Sequence, residues 1–219
     1  MDDYISEKEQ IEQVRQWLSE NGRAILAGLG LGLALVVGLW YWRPYRDGQL
    51  ASASEVYSQL LTAVDNRERD KALELAAKLD GFWRTPYATQ ASLALARLYM
   101  EADEPEPAAE QLQKVISAGR DDVLVEIARI RLAKVRLYQK QADAALTVLG
   151  NDSGTKFAPL YHEVRGDALL ALGRGDEARS EYEQALATLE PGVVDRSVLE
   201  MKLNDIAPAS PSTAAESGS

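Results

Sequence analysis

The chain has 219 residues, one histidine, no cysteine and a formal net charge of −10 at pH 7. Without cysteine there is no disulfide framework, thiol nucleophile or cysteine-ligated zinc. Residues 47–219 carry 19 basic and 28 acidic side chains, a balance that argues against binding nucleic acid or lying flat on anionic lipid, and their 173 residues suffice for one domain with its own core.

Residues 1–23 read as a short amphipathic helix. Ser6 and Glu9 have capping-box spacing, and Ile11, Val14, Trp17 and Leu18 fall on one stripe. Such a helix suits the membrane interface or a docking contact with a membrane partner.

Residues 24–42, AILAGLGLGLALVVGLWYW, contain no charge and nine Leu, Ile or Val. As a helix this run is about 28 Å long, close to the hydrocarbon thickness of a bilayer. It is apolar all round, unlike the amphipathic helix of a soluble core. Arg23 closes one end. Trp40, Tyr41, Trp42 and Tyr45, with Arg43 and Arg46, form an interfacial belt at the other. Ala51-Ser52-Ala53 has the form of a signal-peptide cleavage site, but the leading segment is long and acidic and the apolar run exceeds an ordinary signal core. The expectation is a retained single span. Ala24, Gly28 and Gly32 are four apart, a spacing that lets two helix backbones approach closely, so they are the candidate helix–helix contact within the membrane.

After the span the pattern is helix after helix, without the alternation of strands. Helices are expected over 47–65 and 68–80. Thr85-Pro86 reads as an N-cap followed by proline in the first turn. Gly166, Ala178, Tyr182 and Ala185 then show gaps of 12, 4 and 3, the spacing of a tetratricopeptide repeat. Leu95-Ala96 and Tyr99 with Ala108, Leu112 and Val115 form a second copy. Leu132-Ala133 with Ala145 and Leu149 form a third, which has Arg136 in place of the tyrosine and Asp152 in place of the last alanine. Ala72 marks a degenerate fourth. The reading is therefore all-α: one N-terminal transmembrane helix, then an α-solenoid of about four degenerate tetratricopeptide-like pairs. The pairs fall at 47–81, 85–118, 122–150 and 157–189, with a terminal helix at 193–206 and a disordered tail at 207–219.

No nucleophile elbow, phosphate loop or metal-ligand spacing is present, and no cofactor is expected. His162 stands where a bulky packing residue belongs. Asp121-Asp122 and Asp103-Glu104 read as helix caps. An enzyme is the disfavoured class. The repeat frame offers a groove along the first helix of each pair: Gln90, Leu93, Arg97 and Met100; Ile127, Ile130, Lys134 and Leu137; Leu160, Glu163, Asp167 and Leu170. Leu93, Ile130 and Leu137 serve equally well as core. Leu93, Ile130 and Glu163 do not suit the basic and Asn positions of a carboxylate clamp, so none is expected, and the groove suits apolar or unfolded segments, or a partner helix.

The N-terminal MDDYISEKEQIEQVRQWLSENG, the span with its WYWRPY exit, and the phrases LAxxY (95–99) and RGDALLALGRGDEA (165–178) resemble the ancillary SecYEG translocon subunits, the YfgM-like proteins. The resemblance implies a bacterial inner-membrane protein with a cytoplasmic N-terminal segment (1–23), a span (24–42) and a periplasmic repeat domain (43–206). It implies association with the SecYEG translocon and a periplasmic chaperone of the PpiD kind, and a non-catalytic role in folding or trafficking newly exported, still unfolded proteins. Charge alone leaves orientation open, with three basic residues before the span and two after it within about 20 positions. The alternative is a tethered adaptor for envelope assembly or stress signalling, in one version facing the cytosol.

Overall fold

The computed structural model describes residues 7–82, 85–150, 156–189 and 195–206. Ser6, Asp152 and the tail at 207–219 lie outside the described residues. All elements among those described are helices: α1 (Glu7–Asp65), α2 (Arg69–Asp80), α3 (Tyr87–Glu101), α4 (Pro105–Ala118), α5 (Asp122–Tyr138), α6 (Ala142–Leu149), α7 (Ala158–Ala171), α8 (Gly175–Ala187) and α9 (Arg196–Asp205). The chain forms two compact units, Met1–Ser52 and Ala53–Ser219.

Helix α1 corrects one expectation. The leading helix, the span and the 47–65 helix are one element of 59 residues. Pro44 does not end it. An interior proline both removes a backbone donor and crowds the carbonyl four residues before it, so the element continues there against local preference.

In the second unit the helices pair in sequence order. The last turns of α1 pack with α2 and α3: Ala53, Leu60, Ala63 and Val64 are buried with Ala72, Leu75, Leu79 and Leu95. Then come α3/α4, α5/α6 and α7/α8, with α9 against α8. First helices of successive pairs also touch, α3 with α5 and α5 with α7, so each pair closes the core of the one before it.

The expected repeat positions are the buried ones. Ala72, Ala108, Ala145 and Ala178 are fully buried. Twelve residues before each stands the residue of the facing first helix, Leu60, Ala96, Ala133 or Gly166. Four residues after each stands Ala76, Leu112, Leu149 or Tyr182. These partners vary inversely in size: Leu with Ala, Ala with Leu twice, Gly with Tyr. Fixed helix spacing demands a near-constant volume between the pair.

The turns repeat as closely. Arg67, Asp103, Lys140 and Gly173 are left-handed, with φ of 59°, 60°, 60° and 74°. The next N–H reaches back five residues each time: Glu68 to Ala63, Glu104 to Tyr99, Gln141 to Arg136 and Arg174 to Leu169, at 2.8–2.9 Å. This closure satisfies carbonyls at the helix end but strains any residue with a Cβ at the left-handed position. Lys140 is exposed, so Lys140→Gly should stabilise the domain by about 0.5–1 kcal/mol in urea unfolding. A loss of stability there would show that no strain is stored at this turn.

Caps are mixed. Asp121 accepts from the Leu124 N–H at 3.1 Å, as expected. Thr85 does not cap: it is buried, its hydroxyl donates to the Phe82 carbonyl at 3.3 Å, and Pro86 holds the cap position. Asp103 and Glu104 also do not cap. They tie neighbouring repeats together, Asp103 accepting from the Tyr138 hydroxyl and Glu104 from Arg69 at 2.6 Å.

A bare apolar helix and a candidate protein-binding face

In the first unit, the apolar stretch of α1 is bare. It is the one helix among the described residues long and apolar enough to cross a membrane, and none of its most apolar window is buried. Leu26 is 72% exposed and Trp40 76%. A row of exposed leucines on a helix is costly in water and favourable in hydrocarbon. A Cβ added at Gly28, Gly30 or Gly32 would meet nothing within 4 Å, so these glycines of the apolar stretch face open space. The leading stripe is exposed as well: Ile11, Val14, Trp17 and Leu18 are each more than half accessible.

In the second unit, the proposed groove residues separate by depth. Leu93 and Ile130 belong to the core, at 9% and 5% exposure, and do not line an open surface. The reason is the closeness of successive first helices: Leu93 packs with the Ala128 and Leu132 side of α5, and Ile130 with Tyr161 and Val164 of α7. Met100, Leu137 and Leu160 are half-buried against the same clusters. Gln90 and Ile127 are also half-buried. Arg97, Lys134 and Leu170 are exposed. Arg97 pairs with Asp65 at 2.5 Å and Glu101 at 2.9 Å. A neighbouring cleft of about 570 Å³ is lined by Leu137, Lys140, Gln141, Asp143, Ala171 and Leu172 among others.

Glu163 and Asp167 answer to α9. Lys202 Nζ donates to Glu163 Oε1 and to both Asp167 oxygens, each at 2.8 Å. Its ammonium also lies 5.9 Å from the Tyr182 ring centroid. The Tyr182 hydroxyl donates to Asp167 at 2.7 Å, and Lys134 stands 3.9 Å from Glu163. Burial opposes charge on Lys202, but its hydrogen bonds to Asp167 and Glu163 outweigh this and raise its pKa above the ordinary lysine value. Burial, then the bond to Asp167, pushes the Tyr182 hydroxyl well up. Lys202 was not visible as a partner in the sequence. The usable signal was Leu199, 33 residues after Gly166, which marks α9 as the first helix of an incomplete further repeat.

His162 is buried, with Nδ1 2.7 Å from Glu181 Oε2, and Arg165 is 3.8 Å from the same carboxylate. It joins α7 to α8 and faces no cleft described above. Among the described residues no three His, Cys, Asp or Glu side chains group to hold a metal ion.

Known proteins give this arrangement its context. The model of the tetratricopeptide repeat-like domain matches residues 15–208. The ancillary SecYEG translocon subunit of Escherichia coli (strain K12) is 33% identical over 207 residues, covering 94% of this chain and 99% of that protein. The subunit of the same name from Haemophilus influenzae is 29% identical, covering 92% of this chain and 98% of its own length. That of Neisseria gonorrhoeae is 27% identical, covering 93% and 98%. No solved structure matches the chain. With the repeat-like domain matched over most of its length and a relative aligned almost end to end, the chain belongs to the family of ancillary SecYEG translocon subunits.

Proposed function

We propose that this chain is a single-pass inner-membrane protein that associates with the SecYEG translocon and assists the folding or trafficking of newly exported proteins by non-catalytic binding. The observation that carries the proposal is the near end-to-end likeness to proteins bearing that subunit's name. The bare apolar stretch of α1 supports it, because such a surface needs lipid or another helix. Residues 24–42 are the span, 1–23 the cytoplasmic segment, 43–206 the periplasmic repeat domain and 207–219 a tail. A PpiD-like periplasmic chaperone and unfolded exported chains are the partners proposed for the domain.

Two surfaces take part. Ala24, Gly28 and Gly32 form the contact within the membrane. Arg97, Met100, Lys134, Leu137, Asp167 and Leu170 form the contact on the repeats, with Leu93, Ile130 and Glu163 fixing its shape from behind.

A periplasm-dependent reporter at the C-terminus should be active; an inactive reporter would favour the cytosol-facing adaptor. Photo-crosslinkers at Gly28, Lys134 and Leu170 in intact cells should capture channel subunits or a chaperone, and capture of neither would remove the partner claim. Replacing Gly28 and Gly32 with leucine keeps the span apolar and should reduce co-purification of the translocon roughly tenfold, about 1.4 kcal/mol of helix packing. Undiminished co-purification would leave the span as a plain anchor.

A further inference from the structure

Two cations, Arg43 and Arg46, stand at the C-terminal end of the bare stretch. Leu39, Trp42, Arg43 and Arg46 fall at i, i+3, i+4 and i+7 and so share one face of α1, and all four are exposed. Arg43 makes no ion pair among the described residues. Arg46 reaches back over the Trp42 ring, its guanidinium carbon 6.0 Å from the centroid. It also pairs with Asp47 at 3.2 Å, but both side chains are more than half exposed. Such a surface pair is weak and readily exchanged for a better anion.

We propose that this face binds the headgroup phosphate of an anionic phospholipid. Arg43 and Arg46 bracket one phosphodiester through guanidinium N–H donors, a fork geometry that suits phosphate oxygens. Trp42 lies against the upper acyl and glycerol region and Leu39 against the chain below. Charge complementarity selects the occupant. Two arginines and one neighbouring aspartate leave one net positive charge, which a phosphatidylglycerol headgroup neutralises and zwitterionic phosphatidylcholine does not. The site rests on reading α1 as a span.

The full chain is placed in nanodiscs of equimolar phosphatidylglycerol and phosphatidylcholine, and the lipids that stay bound are weighed by native mass spectrometry. The wild-type chain should retain phosphatidylglycerol roughly fivefold over phosphatidylcholine, about 1 kcal/mol. The preference should vanish in R43Q/R46Q and persist in R15Q/R23Q, which changes two cations at the other end. Equal retention by the wild type, or an undiminished preference in R43Q/R46Q, overturns the site while leaving the span intact. Failure of the chain to enter nanodiscs at all overturns both. Free inorganic phosphate at millimolar concentration should not remove the preference; if it does, the site is a phosphate site and not a lipid site.

Discussion

Replacing Gly166 with alanine is expected to destabilise the repeat domain by about 1–3 kcal/mol, although alanine is the better helix former. A Cβ at 166 would stand 2.5 Å from Tyr182 Cε1 and 2.7 Å from Cδ1. The ring cannot step aside easily. It is fully buried, and its hydroxyl is tied to Asp167, which is tied in turn to Lys202. The middle repeats show the remedy, since Ala96 faces Leu112 and Ala133 faces Leu149. Tyr182→Leu alone should cost about 2–4 kcal/mol by leaving a cavity. In the Gly166→Ala/Tyr182→Leu double variant the two losses should be less than additive, with a coupling of about 1–3 kcal/mol. Urea unfolding of the full chain in detergent measures all three. Additive losses would mean that the two residues do not share one space.

Lys202→Met is expected to cost about 2–4 kcal/mol, because it leaves the buried Glu163 and the half-buried Asp167 without their shared cation. The figure is set below that for a fully buried pair because the Lys202 side chain is 24% exposed. Truncation of Asp167 alone should cost less, since Glu163 keeps its partner. The same cluster is expected to contribute to stability at alkaline pH. Lys202 and Tyr182 both have folded pKa values above their ordinary ones. The folded state therefore holds its protons where the unfolded state releases them. The stabilisation is complete below about pH 10, near the unfolded values, and is lost as pH rises further toward the folded ones. Melting temperature should fall more steeply above about pH 10 in the wild type than in Lys202→Met/Tyr182→Phe. Parallel slopes would place the alkaline sensitivity elsewhere.

Much of this architecture was legible in the residue string. Gaps of 12, 4 and 3 put small residues where helices cross, and such crossings leave little freedom of choice. Hence Ala72, Ala108, Ala145 and Ala178 are buried as the frame requires. Asp121 was readable as a cap because its bond is made three residues away. Thr85 was not, because its hydroxyl had a competing acceptor in the Phe82 carbonyl that only the folded turn brings near. Nor was the passage of α1 through Pro44, where local preference and helix continuation oppose each other.

The candidate face divides along the same line. Its frame followed from periodicity, but periodicity gives the direction of a side chain and not its depth. Leu93 and Ile130 point along the expected row and are covered, while Lys134 and Leu170 on that row remain open. Depth depends on how closely the next helix pair stacks, a contact between residues some 30 positions apart.

By itself, then, the sequence determined the apolar run of bilayer length, the all-helical repeat frame, the absence of thiol chemistry and the likeness to its family. These are properties of composition and spacing, set within a few helical turns. Only the tertiary structure decided that α9 supplies Lys202 to Glu163 and Asp167, that Gly166 admits the Tyr182 ring, and which residues of the expected row stay exposed. Those depend on distances between separate helices, which no local pattern encodes.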